Sequence, residues 1–102
     1  MKDFEIVYEY VNVSASKRLE ILIENKLATI KNRYDFVIRA DIFLKLDNKD
    51  IGSKHHCGIR LSAPGPQIYA SSDESDFEQA ISETIRDLKD QLEKRKAKMS
   101  NY

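Results

Sequence analysis

Residues 37–46 read VIRADIFLKL, and every second side chain from Ile38 is apolar: Ile38, Ala40, Ile42, Leu44 and Leu46. Between them fall Arg39, Asp41, Phe43 and Lys45. A period of two is that of a strand with one covered face and one wet face. The stretch therefore predicts a sheet that needs a second layer on one side only.

Working outward, residues 4–11 repeat the pattern, with Phe4, Ile6, Tyr8 and Tyr10 alternating with Glu5, Val7 and Glu9. That is a first strand. Ser14 then stands where a helix N-cap is expected, and Leu19, Leu22, Ile23, Leu27, Ile30 and Tyr34 recur every three or four residues up to Arg33. This predicts an amphipathic helix between the two strands. Past the polar segment DNKDIGS (47–53), residues 55–62 alternate again, with Cys57, Ile59 and Leu61 inward. Pro64 and Pro66 around Gly65 impose a turn, and QIYAS (67–71) predicts a short fourth strand. Ser75 and Glu78 form a Ser-x-x-Glu capping box. From there Phe77, Ala80, Ile81, Ile85, Leu88 and Leu92 form the stripe of a second, longer helix.

The order is strand, helix, three strands, helix. Two helix stripes and one apolar sheet face predict a two-layer α+β domain with a four-stranded mixed sheet. A right-handed crossover through the first helix makes the first two strands parallel, and the short later connections make the rest antiparallel. The 102 residues suffice for one domain, residues 1–102.

Composition narrows function. The chain has 17 basic and 17 acidic residues, so affinity for nucleic acid must come from the distribution of charge and not from its sum. No apolar run has the length of a signal peptide or a membrane span, and the single cysteine, Cys57, has no intramolecular partner. A cytoplasmic protein without membrane contact is expected.

Candidate chemistry is sparse. His55, His56 and Cys57 are adjacent, but on a strand His55 and Cys57 share one side while His56 faces away, and no second His/Cys cluster supplies further ligands. A buried structural cysteine between ordinary histidines is expected, with no metal and no cofactor. The SAPGP stretch lacks the repeated glycines and the Lys-Ser/Thr of a phosphate loop. No residue pattern argues for catalysis. The outer sheet face, with Arg39, Phe43, Lys45, Arg60 and Tyr69, interleaves bases and aromatics as base-stacking surfaces do, although Asp41 interrupts it. It is a second candidate for RNA, or a protein contact through the face or an open sheet edge.

The most basic stretch is LEKRKAKMSNY, where Lys94, Arg95, Lys96 and Lys98 occupy four of the five positions 94–98. Acids lead this helix and bases end it, as the helix dipole favours, and Asp90 lies four residues before Lys94. Those effects account for part of the cluster. Beyond Leu92 the stripe is reduced to Met99, so residues 94–102 are expected to project from the core as a basic end and short tail, suited to phosphate contact.

Three stretches together carry a family resemblance: YDFVIRADIFLKLDN (34–48), IRLSAPGPQIYASSDESDFEQAI (59–81) and DLKDQLEKRKAKM (87–99). The chain resembles a short-form ribosome hibernation-promoting factor of the protein Y family. The resemblance implies a β-α-β-β-β-α domain similar to a double-stranded-RNA-binding fold, with both helices on one sheet face. It implies a non-enzymatic factor that binds the 30S subunit and 16S rRNA at the decoding region, overlaps the tRNA and mRNA sites, blocks translation and preserves idle ribosomes. It implies no small-molecule substrate. The RNA contacts it implies are Lys26, Lys31 and Arg33 on the first helix and Lys94, Arg95, Lys96 and Lys98 on the second. Where relatives often carry bases this chain has Asp87 and Asp90, and its cations fall one position earlier, at Arg86 and Lys89. The long form adds a C-terminal dimerisation domain. With nothing after Tyr102, the short form is expected, and any ribosome dimer formed with it would need another factor.

Overall fold

A computed structural model describes residues 4–47 and 54–99 of the chain, so residues 48–53 of the expected DNKDIGS loop lie outside the described part. The elements are β1 (Glu5–Val11), α1 (Lys17–Arg33), β2 (Arg39–Asp47), β3 (Lys54–Ser62), β4 (Ile68–Glu74) and α2 (Phe77–Met99). The sheet order is β1-β2-β3-β4, with β1 parallel to β2 and the other two pairings antiparallel. This is the expected α+β architecture.

Register explains why one face is dry. Tyr8 pairs with Ile42, Ile42 with Ile59, and Ile59 with Ala70, so the inward residues of four strands line up in rows. Both helices cover this face. Tyr8 Oη, on β1, donates to Glu24 Oε2 of α1 at 2.9 Å, and Thr84 Oγ1 of α2 lies 3.2 Å from Cys57 O of β3. Ile23, Leu27, Ile42, Ile59, Ile81, Leu88 and Leu92 are fully buried between the layers. At about 25 cal/mol per Å² of apolar area, each such side chain contributes about 2 kcal/mol before entropy is counted.

Four local expectations are corrected. The cap of α1 is Ser16, not Ser14: its backbone is extended, and its side chain accepts from Leu19 N at 3.2 Å. Asn12 takes a left-handed conformation (φ 60°), which asparagine tolerates better than most residues, and Ser16 N donates to Tyr10 Oη. The chain thus spends two more residues climbing from sheet to helix layer. The cap of α2 is Asp76, not Ser75, with Asp76 Oδ1 accepting from Gln79 N at 2.8 Å; Ser75 Oγ instead meets Gln79 Oε1. The Ser75–Glu78 box does not form.

The third and fourth corrections concern strands. β4 continues through the polar run Ser72, Asp73 and Glu74, because these residues keep pairing with Cys57, His56 and His55 of β3. Ile38, expected inward, is 56% exposed, while its neighbour Val37 is fully buried. A turn in which Val37 N donates to Tyr34 O tucks Val37 under the core just before the strand period begins.

Candidate nucleic-acid interface

Two ion pairs fix how the helices lie. Arg18 meets Glu78 at their N-terminal ends, and Arg33 Nη2 meets Glu93 Oε1 at 3.1 Å, at the C-terminal end of α1 and six residues before that of α2. Both pairs are 60 residues apart in sequence, so α1 and α2 run parallel with one constant register for about 22 Å, at 1.5 Å per residue. Residues three and four apart share a helix edge, which puts Lys26 on the line from Arg18 to Arg33, and Lys89 with Arg86 along the line from Glu78 to Glu93. Lys96 continues that line, its Nζ 3.4 Å from Arg33 O and 5.7 Å from the centre of the Tyr34 ring. The seam between the helices therefore gathers Lys26, Arg33, Arg86, Lys89 and Lys96.

The opposite edge of α2 carries the other cations. Asp87, Gln91 and Arg95 are spaced by four, and Gln91 Nε2 donates to Asp87 Oδ1 at 3.1 Å and to Tyr69 O of β4 at 2.9 Å. Arg95 reaches the β3–β4 turn, where its Nη1 donates to Pro64 O and its Nη2 to Pro66 O, both at 2.7 Å. Beside it an open cleft of about 510 Å³ is lined by Ile68, Gln91, Lys94, Arg95, Ala97 and Lys98. Gln91 and Ile68 were not singled out from sequence; the four-residue spacing Asp87–Gln91–Arg95 is the signal that marks Gln91.

The nine candidate residues thus differ in state. Lys26, Lys89, Lys94 and Lys98 have no hydrogen-bond or ion-pair partner among the described residues, and the expected pairing of Asp90 with Lys94 does not occur there. Arg86 is exposed and meets Glu83 at 3.6 Å. Arg33 is neutralised by Glu93, whose carboxyl is held below the usual range by the Tyr34 hydroxyl first and by Arg33 second. Arg95 and Lys96 are tied to backbone carbonyls but keep their charge. Lys31 stands apart: it lies on the other edge of α1, donating to Asp35 O and Val37 O at 2.8 and 2.7 Å, with its ammonium 5.8 Å from the Phe4 ring centre.

The alternative sites look different. Cys57 is fully buried and its thiol is pushed up to about 11 by desolvation, the state of an inert structural cysteine. His55 packs edge-on against Phe77, and His56 Nδ1 meets Asp73 Oδ1 on the opposite face. Among the described residues no group of three His, Cys, Asp or Glu side chains could hold a metal. On the outer sheet face, Asp41 lies between Arg39 (2.9 Å) and Arg60 (3.7 Å), and Arg39 also meets Glu5. The bases of that face are largely spent on its own acids. No helix among the described residues is long and apolar enough to cross a membrane.

Comparison with known proteins bears on the fold and the family. No curated protein sequence matches the chain. A ribosomal subunit interface protein from Coxiella burnetii superposes with a TM-score of 0.81 at 26% identity, over 92% of this chain and 99% of that one. The Protein Y N-terminal domain of Thermus thermophilus shares the fold, with a TM-score of 0.72 at 22% identity over 92% of this chain and 98% of that one. The sequence profile described as "Sigma 54 modulation protein / S30EA ribosomal protein" matches residues 6–100, and the chain belongs to that family, the family of the ribosome hibernation-promoting factors.

Proposed function

We propose that this protein is a cytoplasmic ribosome hibernation factor that binds the 30S subunit through 16S rRNA at the decoding region and inhibits translation there. The observation that carries the reading is the cluster of unpartnered lysines on α2 and the helix seam, with Lys89, Lys94 and Lys98 exposed and Lys26 half-buried. Two lysines four apart on one helix, Lys94 and Lys98, repel each other and cost stability, a cost that a phosphate between them would offset. The similarity to a ribosomal subunit interface protein supports the choice of partner.

The mechanism needs no bond-making. The rigid two-layer domain presents its cations at fixed spacing to the RNA backbone, and occupation of the tRNA and mRNA sites is itself the inhibition. Phosphate contact is expected at Lys26, Lys89, Lys94 and Lys98, with Arg86 and Lys96 alongside and Arg33 masked by Glu93. For four contacts, a slope of about −0.8 per contact gives a loss of affinity of roughly a hundredfold between 50 and 200 mM salt. Pairing of ribosomes into dimers would fall to another factor.

The test is co-sedimentation of purified protein with 30S subunits on sucrose gradients, alongside in vitro translation. Lys94→Glu combined with Lys98→Glu should abolish both co-sedimentation and inhibition with an unchanged circular dichroism spectrum. Retained binding in that variant would rule out the helix end as the contact, and binding without inhibition would rule out the decoding region.

A further inference from the structure

The turn between β3 and β4 and the last turns of α2 fit one another atom by atom. Gly65 stands at φ 95°, a conformation L side chains rarely adopt, and a Cβ there would lie 3.2 Å from Arg95 Nη1. Because that Cβ is missing, the guanidinium lies across bare backbone. Its two terminal nitrogens donate to Pro64 O and Pro66 O at 2.7 Å each. A planar fork matches two carbonyls two residues apart, whereas a single ammonium has no such geometry.

The position of this contact along α2 gives it leverage. Leu92 is the last buried apolar residue of the helix, and the helix runs on to Met99. Helix ends without packing fray, and frayed lysines lose the fixed spacing that phosphate contact needs. Arg95 sits one turn beyond Leu92, between Lys94 and Lys98, and anchors that turn to a proline-stiffened loop.

We propose that Arg95 is a positioning residue for RNA binding: with Gly65 it clamps the end of α2 onto the β3–β4 turn, fixing Lys94 and Lys98, and it does not itself contact a phosphate. The inference rests on the reading of Lys94 and Lys98 as phosphate contacts.

Two readouts separate the roles: amide hydrogen exchange over residues 93–99, and 30S affinity measured across a series of salt concentrations. Arg95→Lys keeps the charge and loses the fork, and Gly65→Ala perturbs the clamp without touching any charge. Both should lose exchange protection in 93–99 and weaken 30S binding roughly tenfold, the cost of re-ordering two long side chains, with the salt slope unchanged. Lys94→Gln with Lys98→Gln should instead lower the slope by about 1.6, two contacts' worth, with wild-type exchange. Wild-type exchange and wild-type affinity in Arg95→Lys overturn the clamp, as does an Arg95→Gln chain that loses one contact's slope while keeping full protection. Loss of protection in Arg95→Lys, together with a wild-type chain that does not bind 30S, upholds the clamp and removes the RNA reading.

Discussion

Arg33 and Glu93 meet at 3.1 Å across 60 positions of sequence, the same separation at which Arg18 meets Glu78. The shared offset means that α1 ends beside Glu93, while α2 runs on for six residues, about 9 Å, to Met99. The partial negative charge at the C-terminus of α1, about half an elementary charge, therefore lies against the flank of α2. Cations collect at that end for a structural reason: Lys31 donates to Asp35 O and Val37 O, and Lys96 to Arg33 O. Lys94 and Lys98 meet no carbonyl and no acid among the described residues, so they are surplus to that need.

Glu93 holds the seam closed electrically. One of its oxygens accepts from Tyr34 Oη at 2.6 Å and from Arg33 at 3.1 Å, so Arg33 is masked by an acid. Glu93→Gln should release Arg33 to the RNA, raising 30S affinity several-fold and steepening the salt dependence by about 0.8, one further contact. Unchanged affinity and slope in a salt titration would mean that RNA does not reach the seam at Arg33.

Thr84 ties α2 to the sheet from within. It is fully buried, and its hydroxyl lies 2.8 Å from Ala80 O and 3.2 Å from Cys57 O. Thr84→Val keeps the shape and removes the hydroxyl, leaving the Cys57 carbonyl without that donor. A loss of about 1 kcal/mol is expected, and for a domain of this size a melting temperature lower by about 4–8 °C. Thermal denaturation followed by circular dichroism measures it; a rise in melting temperature would show the hydroxyl to be a net burden.

Most of the fold could be read from periodicity, and the exceptions have definite causes. Ala40, Ile42 and Leu44 sit inward because a sheet covered on one face admits only that alternation. The cap of α1 falls at Ser16 and not at the expected Ser14, because the choice depends on the Tyr10 hydroxyl, which accepts from Ser16 N and donates to Glu20. The end of β4 was hidden for a similar reason: Ser72, Asp73 and Glu74 have poor strand propensity and are held by pairing with β3. At the candidate interface, sequence supplied the cations but not their occupation. That Arg95 faces a proline turn and Lys31 faces Phe4 and the α1–β2 connection is decided by tertiary packing, which no helical wheel contains.

Asp41 gives the stability a defined pH dependence. Its carboxyl is held below its ordinary value of 3.8 by the Arg39 hydrogen bond first, against a desolvation that raises it, with Arg60 adding to the lowering. A group lowered in the folded state contributes stability that is complete above its ordinary value and disappears as pH falls through the lowered one. Wild-type stability should therefore decline as pH drops below about 4. Asp41→Asn should cost about 1–2 kcal/mol at neutral pH, since both arginines are part-exposed and screened. Its urea midpoint should then fall less steeply with acid than that of the wild type. Parallel acid profiles would show that Asp41 is not the group responsible.

The outer sheet face supplies the last discriminating prediction. Phe43 lies under Arg60, whose guanidinium carbon is 5.6 Å from the ring centre, and the Tyr69 hydroxyl leans over Gly58, where a Cβ would be only 2.7 Å from it. Tyr69 is 48% exposed, so both rings are accessible enough to stack on bases. Yet most of the charges around them are paired: Arg39 and Arg60 serve Asp41 and Glu5, and His56 serves Asp73, while Lys45 has no ion pair among the described residues. A strand of RNA on this face would have to break those pairs to have its phosphates neutralised, while the lysines of α2 are available without such a cost. Phe43→Ala with Tyr69→Ala should consequently leave 30S co-sedimentation and its salt slope as in the wild type. If base stacking on the sheet carried the interaction, the same double variant would lose about 1–3 kcal/mol per ring, at least a thirtyfold drop in affinity for the pair, with the slope retained.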